Sequence, residues 1–187
     1  AINHQYSKSQ EFETSFQNIL IHYFGDSVRY YSFLRPLSEL KICEMFAKNG
    51  FDTYKNVFSS CNRAFTHSSS AICWCGECAK CAFIYLGLSS FVPEHELTNL
   101  WNGQNLLQKK SLEPTYKQLL GIDGDKPLDC VGEIAESRAA MQLAFKQYPK
   151  LREKYQFETP DFDYQNVRGQ EMPEDIYKVL IDSIATR

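Results

Sequence analysis

Residues 73–81 read Cys73-Trp74-Cys75-Gly76-Glu77-Cys78-Ala79-Lys80-Cys81 and contain two overlapping C-x-x-C units. Two thiolates separated by two residues can bind one ion, because the intervening turn brings both sulfurs to about 2.3 Å from a zinc ion. Gly76 permits the tight turn that follows Cys75. Cys78 and Cys81 are three residues apart at the start of a predicted helix, so both side chains can face the ion. The segment therefore predicts a metal site.

The fourth ligand of this site has to come from elsewhere, since a structural zinc ion needs four and the last three cysteines of the segment supply three. It is Cys61, across a 13-residue loop, or Cys73. We favour Cys61, because a residue two positions before Cys75 in an extended chain lies too far along to share its ion, whereas a loop can bring Cys61 back. His67, in the same loop, is an alternative ligand.

The same cysteines permit three other interpretations. Buried reduced thiols can fill small spaces in a core, an iron–sulfur cluster takes the same ligands, and Cys78 with Cys81 could form a redox pair. Packing does not explain cysteines spaced at i, i+3 and i+6 around a glycine, and the extra thiols fit a closed coordination shell better than a redox site. Zinc is the metal we predict, in a structural role, since four protein ligands leave no open position for a substrate or water.

The composition of the whole chain is that of an ordinary globular domain. Of its 187 residues, 43% are hydrophobic and 23% are charged, which argues against an intrinsically disordered chain. The net charge of −3 argues against general binding to nucleic acid or to an anionic membrane surface, because both need a basic excess. The sequence shows neither a membrane-spanning apolar run nor a secretory signal pattern, so we expect a soluble, cytoplasmic domain.

Hydrophobic periodicity predicts a mostly α-helical fold with a small β component, held together by the four-cysteine zinc site. Helices are expected at 9–24, 38–48, 79–92, 93–101, 111–120, 133–148 and 173–184. Ser9, Ser38 and Ser111 are the expected N-caps. Strands are expected at 28–34 and, on an ambiguous pattern, at 54–60; residues 149–170 are polar, contain proline and are expected to be a surface excursion.

Three segments occur in a characteristic order, and they are Pro36-Leu37-Ser38-Glu39-Leu40-Lys41, Ser60-Cys61-Asn62 and Cys75-Gly76-Glu77-Cys78-Ala79-Lys80-Cys81. This order resembles the C-terminal region of the PP-loop ATP pyrophosphatases. In the 7-cyano-7-deazaguanine synthases of that group, similar segments carry four cysteines that bind structural zinc. The resemblance implies that the ligands here are Cys61, Cys75, Cys78 and Cys81, and that Cys73 is an extra cysteine.

A second set of motifs extends further along the chain. It consists of Ser60-Cys61-Asn62, the segment from Trp74 to Cys81, and Lys126-Pro127-Leu128-Asp129-Cys130-Val131-Gly132-Glu133. Over roughly residues 35–140 these motifs resemble the UDP-N-acetylmuramoyl-L-alanyl-L-glutamate epimerase family. The resemblance implies ATP- and magnesium-dependent inversion of the terminal glutamate of a nucleotide-linked muramoyl dipeptide in peptidoglycan precursor synthesis. The carboxylate is adenylated, the stereocentre is inverted, and hydrolysis releases AMP.

The Ser-Gly-Gly-x-Asp-Ser loop that binds ATP phosphates in these enzymes is absent from this sequence. We therefore expect a single C-terminal domain or fragment of a larger PP-loop enzyme, inactive alone, whose ATP and magnesium bind mainly to the N-terminal ATP-binding domain of the parent chain. The expected division is a leading helix and strand at 1–34, a zinc-binding segment at 35–92, a helical substrate-contact segment at 93–148 and a tail with the final helix at 149–187.

The candidate catalytic groups lie between Lys126 and Arg138. Cys130 could donate or accept a proton, because a helix N-terminus or a cation such as Lys126 favours the thiolate. The epimerase resemblance adds Glu133 as a second acid–base candidate, and Arg138 could bind a substrate carboxylate or phosphate through paired hydrogen bonds. In the alternative structural interpretation, Cys130 is a small buried side chain and Glu133 complements a helix N-terminus.

Two other functions remain open from the sequence. One is a non-catalytic zinc-binding interaction module, and the other is part of a different PP-loop ATP-dependent ligase, such as a relative of 7-cyano-7-deazaguanine synthase. The cysteine site fixes the scaffold and not the substrate. A strand followed by Ser-Gly-Gly-x-Asp-Ser upstream in the parent gene would favour an enzyme over the module.

Overall fold

The computed structural model describes residues 6–64, 72–166 and 172–185. The chain divides into two units, one formed by residues 1–36 with 167–187 and the other by residues 37–166. Throughout the described residues the regular structure is helical, and no strand occurs among them. The mostly α prediction is confirmed, and its small β component is not found in that part of the chain.

The helices are mostly short, and their bounds are as follows in chain order: α1 (Gln10–Phe24), α2 (Glu39–Asn49), α3 (Phe51–Tyr54), α4 (Ala79–Leu88), α5 (Glu94–Asn99), α6 (Glu113–Leu119), α7 (Ile134–Gln147), α8 (Leu151–Lys154) and α9 (Glu174–Ala185). Short 3-10 turns occur at Tyr6–Lys8, Gly25–Ser27, Leu106–Gln108 and Lys110–Leu112. Within the described ranges, every helix is too short or too polar to pass through a bilayer.

Two of the predicted N-caps are confirmed. The Ser9 hydroxyl accepts a hydrogen bond from the Phe12 amide at 3.1 Å, and the Ser38 hydroxyl accepts one from the Lys41 amide at 3.0 Å. Each side chain satisfies an amide that the first turn of its helix leaves without an intrahelical partner. The starts of α1 and α2 are therefore set by local sequence.

The third predicted N-cap, Ser111, is wrong. Helix α6 begins at Glu113, and Pro114 stands in its first turn, where its fixed φ suits the helix and its missing amide costs nothing. The Ser111 hydroxyl instead donates a hydrogen bond to the Glu77 carboxylate at 3.2 Å. Ser111 lies inside the 3-10 turn Lys110–Leu112, so Leu112 and not Ser111 precedes the first turn of α6.

The predicted strands at 28–34 and 54–60 are both wrong. Residues 28–32 lack regular structure and 33–36 form a turn. The Tyr30 amide donates to the Gln17 side chain at 2.7 Å, so a side chain takes the place of a neighbouring strand. In the second stretch, Tyr54 ends α3 and residues 55–57 form a turn. Aromatic and β-branched residues favour a strand only where a second strand pairs with them.

The smaller unit contains α1 and α9. The Arg35 guanidinium pairs with Glu13 of α1 at 2.6 Å, and Arg29 pairs with Asp175 of α9 at 3.0 Å. The hydrogen bond from Arg29 lowers the pKa of Asp175. Both partners of the second pair are largely exposed, so solvent screens the interaction and it adds little to stability.

Helix α4 lies at the centre of the larger unit, with α2, α6 and α7 packed around it. Its apolar sequence predicts this burial, and Cys81, Ala82, Tyr85 and Leu86 are inaccessible to solvent. Gly87 lets α2 approach closely, because a Cβ at that position would lie 2.8 Å from the Cys43 sulfur. Burial raises the pKa of Cys43 to about 12, which leaves it an unreactive thiol. The helix ends at Leu88, four residues before its predicted end.

Residues 151–164 do not form the surface excursion that their polar, irregular sequence predicts. Tyr155 is 1% exposed, and its ring centroid lies 6.0 Å from that of Tyr116 in α6. Phe157 stacks on Phe145 of α7 with the ring centroids 5.9 Å apart. Aromatic side chains at irregular spacing cover α7 here, so the segment is part of the packed unit.

Candidate functional site

Four cysteine sulfurs lie within 4.8 Å of one another, and they belong to Cys61, Cys75, Cys78 and Cys81. The Cys61 and Cys78 sulfurs are 4.0 Å apart, and those of Cys75 and Cys81 are 3.8 Å apart. Four sulfurs at about 2.3 Å from one zinc ion in tetrahedral geometry are about 3.8 Å from each other. The structure thus brings together the four residues predicted as ligands, at a spacing that could hold a metal ion.

The local chain geometry of the site depends on a glycine and on a helix start. Gly76 has a φ of +65°, a conformation that glycine adopts without strain and that reverses the chain between Cys75 and Cys78. Cys78 is the N-cap of α4, and its sulfur accepts a hydrogen bond from the Cys81 amide at 3.5 Å. The positive end of the helix dipole is therefore directed at the sulfurs.

Backbone amides donate hydrogen bonds to each of the four sulfurs. The Cys61 sulfur accepts from the amides of Arg63 at 3.4 Å and Cys75 at 3.3 Å. The other donor–acceptor pairs, at 3.4, 3.4 and 3.5 Å, are Gly76 to Cys81, Glu77 to Cys75, and Cys81 to Cys78. Four thiolates around a divalent ion carry a net negative charge, and these donors stabilise it. The group could therefore hold a metal ion within a shell of four thiolates.

As thiols, the cysteines of the group differ in acidity. A hydrogen bond from Cys81 lowers the pKa of Cys78 to about 4, and the same bond raises the pKa of Cys81. Burial raises the pKa of Cys75.

The two alternative ligands do not enter the group. The Cys73 sulfur is not among the four clustered sulfurs, and the Cys73 carbonyl accepts a hydrogen bond from the Ser59 hydroxyl at 2.6 Å. That bond fastens the chain before Cys75 to the chain before Cys61. His67 lies outside the described residues.

Lys109 supports the metal-binding turn, and sequence reasoning missed it. Its ammonium donates to the Gly76 carbonyl and to the Gln104 side chain, both at 3.0 Å, and pairs with the Glu77 carboxylate. The hydrogen bond from Lys109 lowers the pKa of Glu77. Lys109 follows Gly76 by 33 residues, and neither periodicity nor motif spacing joins the two. The lysine fixes the outer side of the C-G-E-C turn.

The predicted catalytic segment begins beside the cysteine group. The Asn62 side chain donates to the Asp129 carboxylate at 2.7 Å. Cys130 is exposed, which contradicts the interpretation of this residue as a buried side chain. The Lys126 ammonium lies 3.7 Å from the Glu133 carboxylate, and the Glu133 side chain is 84% exposed. Cys130 and Glu133 are thus exposed, and Lys126 is partly buried.

The structure gives Arg138 a structural contact. Its guanidinium donates to the Leu120 carbonyl at 2.8 Å and to the Gly121 carbonyl at 3.4 Å. It also lies 5.8 Å from the ring centroid of Phe157. Two of the five donors of the guanidinium are used in this way. Arg138 therefore ties α7 to the turn after α6.

Gly132 of the catalytic segment packs against α4 and α7. A Cβ at this position would lie 2.4 Å from the Phe83 ring and 2.6 Å from the Glu136 carboxylate. Glu136 is buried and accepts a hydrogen bond from the Leu40 amide in the first turn of α2 at 2.9 Å. The glycine is needed because the chain runs directly over Phe83, and Glu136 links α7 to α2 beneath it.

Glu39 is a further acid–base candidate that sequence reasoning did not identify. Burial and the neighbouring charge of Glu136 raise its pKa, and the positive charge of Lys126 partly offsets them. Glu39 still has solvent contact. A carboxyl group that keeps its proton to a higher pH, within the electrostatic range of Lys126, has the properties of a general acid. No motif marks it, because the shift comes from burial and from the charge of Glu136 on another helix, α7.

These features define a helical domain with a four-cysteine group that could hold a metal ion and a charged, partly exposed segment next to that group. Two family models match the chain: the MurL C-terminal domain over residues 57–160 and the MurL N-terminal domain over residues 1–33. The C-terminal match contains all four clustered cysteines and the Lys126–Glu133 segment. The chain belongs to the MurL family.

Curated relatives extend this result. The UDP-N-acetyl-alpha-D-muramoyl-L-alanyl-L-glutamate epimerase of Micromonospora sp. is 40% identical over 146 residues, which cover 78% of this chain and 32% of that protein. The proteins of the same name from Salinispora tropica and Xanthomonas oryzae pv. oryzae are 42% and 44% identical, over 78% and 76% of this chain and 31% of each relative. The chain thus spans about a third of the length of these relatives. No solved structure matches it.

Proposed function

We propose that this chain is the C-terminal, zinc-binding portion of an ATP-dependent epimerase that acts in the cytoplasm. Its substrate is UDP-N-acetyl-α-D-muramoyl-L-alanyl-L-glutamate, a peptidoglycan precursor, and the enzyme inverts the terminal glutamate. The observation that carries the proposal is the MurL C-terminal match, because it spans both the cysteine group and the exposed Cys130 segment. The names of the relatives supply the substrate.

Zinc is the metal we propose for the cysteine group, with Cys61, Cys75, Cys78 and Cys81 as ligands. The support is the sulfur spacing and the amide donors to every sulfur. The four ligands close the coordination shell, so the ion supplies folding energy and no catalytic step. It holds the chain on either side of residues 62–74 against the N-terminus of α4.

The residues proposed for catalysis and substrate contact lie in the open segment beside this centre. Cys130 exchanges the α-proton of glutamate, Glu133 acts as an acid–base group, and Lys126 binds a substrate carboxylate or phosphate. Arg138 contributes through the donors that the Leu120 and Gly121 carbonyls leave available. Support comes from the exposure of the first two residues and from the proximity of Lys126 to Glu133.

The other partner is the N-terminal ATP-binding domain of the parent chain. ATP, bound with magnesium mainly by that domain, supplies the activation of the glutamate carboxylate. The length of the relatives, about three times the matched part, leaves room for such a domain. A non-catalytic module would not explain why these relatives carry the name of an epimerase.

The test uses the full-length protein with the muramoyl dipeptide substrate, ATP and magnesium in D2O. We expect D-glutamate to form and deuterium to appear at its Cα. Cys130→Ala should slow both by about 10²–10⁴-fold, the range for loss of a positioned acid–base group. Cys73→Ala is the matched control, since it removes a nearby cysteine outside the metal group, and should keep the wild-type rate. Absence of D-glutamate from the wild-type reaction contradicts the function, and an unchanged rate in Cys130→Ala contradicts the role of that thiol.

A further inference from the structure

A cavity of about 810 Å³ lies along the C-terminal half of α7, away from the metal centre and from the Cys130 segment. Residues of α7 form one wall, and the aromatic segment 152–164 forms the other. The volume falls in the range of small-molecule sites, which runs from about 300 to 1,000 Å³. All of the lining residues belong to the larger unit.

Two cations line this cavity without an acidic partner among the described residues. Lys146 is exposed on α7, and no ion pair within the described ranges includes it. The Arg152 guanidinium contacts the face of Phe145, 5.5 Å from its ring centroid, and likewise has no carboxylate partner in that part of the chain. The acidic group of the lining, Asp163, accepts a hydrogen bond from the Gln165 amide at 2.9 Å. The carboxylate of Asp163 keeps its negative charge, so the two cations give the lining a positive excess that favours an anion.

The remaining lining is largely aromatic. Phe145 and Phe157 stack with their rings 28° from parallel, and Phe162 and Tyr164 stand opposite α7. Aromatic side chains of this kind bind planar rings such as nucleobases, by stacking or by edge contacts. A ligand that satisfies both the cations and the aromatic wall is an anion joined to a planar ring.

The distance along α7 from the cavity to the Cys130 segment can be compared with the length of the proposed substrate. Glu133 precedes the helix, and Lys146 lies in its last turn, so the two are about 20 Å apart at 1.5 Å per residue. Arg138, Gln142 and Lys146 follow one another at i, i+4 and i+8 and share one stripe of the helix. The proposed substrate carries its nucleotide at one end and its glutamate at the other. Its two amino-acid residues span about 7 Å, and a sugar and a diphosphate cover the rest.

We propose that this cavity binds a nucleoside diphosphate, with Lys146 and Arg152 on the phosphates and the aromatic wall on the base. The choice of ligand rests on the proposed function. The cavity would bind the nucleotide end of the substrate, and the glutamate end would lie near Cys130, at the other end of α7. The uridine diphosphate of the substrate and the diphosphate of an adenine nucleotide share this chemistry. The experiment separates the two.

The experiment titrates the full-length protein with UDP, ADP and inorganic pyrophosphate by isothermal titration calorimetry. We compare the wild type, the exposed single variant Lys146→Gln, the double variant Lys146→Gln/Arg152→Gln, and the control Lys150→Gln, which removes a nearby exposed charge outside the cavity. We expect the double variant to weaken UDP binding about tenfold or more, since each cation makes a charged hydrogen bond to phosphate. Lys150→Gln should leave the affinity unchanged.

Each outcome decides the proposal. Weakened binding of UDP supports the substrate as the source of the ligand, and weakened binding of ADP alone supports the same site with an adenine nucleotide. Equal affinity for pyrophosphate and UDP overturns it, because the site then holds an anion without a base. Unchanged UDP and ADP affinities in both variants also overturn it.

The same variants separate this proposal from the proposed function. If the double variant of the full-length protein epimerises the dipeptide with an unchanged KM, the cavity proposal is contradicted and the proposed function stands. If UDP binding depends on Lys146 but the wild-type protein has no epimerase activity, the cavity proposal is supported and the proposed function is contradicted.

Discussion

Replacement of Gly132 by alanine tests why the V-G-E sequence contains a glycine. The new Cβ would meet the Phe83 ring at 2.4 Å and the Glu136 carboxylate at 2.6 Å, both far inside contact distance. Overpacking against a buried ring costs about 1–3 kcal/mol. Displacement of Glu136 also breaks its bond to the Leu40 amide, and hydrogen bonds to charged groups are worth about 1.5–3 kcal/mol.

One term acts in the opposite direction. Gly132 does not have a positive φ, so alanine fits the backbone and stabilises the protein by about 0.4–1 kcal/mol through the unfolded state. The net expectation is that Gly132→Ala lowers the free energy of unfolding by about 2–5 kcal/mol. Denaturant unfolding followed by circular dichroism measures this change.

A double-mutant cycle identifies the cause. Phe83→Leu removes the ring atoms that the new Cβ would meet, and alone it leaves a small cavity. If the clash is the reason, the two substitutions together cost less than the sum of their separate effects, by about 0.5–3 kcal/mol. Additive effects, or a Gly132→Ala protein as stable as the wild type, refute the packing argument and leave close approach of a substrate as the reason for the glycine.

Two further predictions concern metal and pH. Elemental analysis of the purified protein should find a single zinc ion, which Cys61→Ser removes and the control Cys73→Ser keeps. Loss of the ion should lower the free energy of unfolding by about 4 kcal/mol or more, the range that loss of a bound metal reaches. Equal zinc content in both variants contradicts the ligand set. Burial raises the pKa of Glu44, but hydrogen bonds from two lysines and Gln165 outweigh it and lower the pKa to about 2 from an ordinary value of 4.5. The stabilisation from the Glu44 carboxylate is therefore present above about pH 4.5 and is lost as the pH falls toward 2. Glu44→Gln should flatten the pH dependence of the free energy of unfolding between these two pH values. An unchanged slope contradicts the lowered pKa of Glu44.

Helices whose signals are local could be predicted from the sequence. Ser9 and Ser38 cap their helices because each hydroxyl oxygen accepts from an amide three residues ahead. The Ser38 hydroxyl also donates to the Tyr164 carbonyl at 3.0 Å, and it keeps the capping bond because a hydroxyl can donate and accept at once. Ser111 carries the same local signal, but it lies inside the 3-10 turn Lys110–Leu112, and its hydroxyl donates to Glu77, a residue distant in sequence. The strand predicted at 28–34 fails for a related reason, since strand propensity needs a pairing partner and Gln17 satisfies the Tyr30 amide.

The candidate site shows the same limit on prediction. The four cysteines could be named from the sequence, because three of them lie at short spacings and a single loop brings Cys61 to them. Clustered thiols also have few chemical roles, and metal binding is the main one. Lys109 and the bond from Asn62 to Asp129 depend on the folded path of the chain. Glu39 is similar, because its raised pKa comes from burial and from a carboxylate on another helix.

Two of these long-range contacts connect the cysteine group to the segment around Cys130. Cys78 and Cys81 fix the first turn of α4, and two residues later Phe83 of the same helix supports Gly132. Asn62, next to a ligand, holds Asp129 from the other side. Cys130 is thus placed between two contacts that both originate at the cysteine group. In the proposed enzyme, a zinc ion in the cysteine group would therefore affect proton transfer by fixing the chain on either side of the Cys130 thiol.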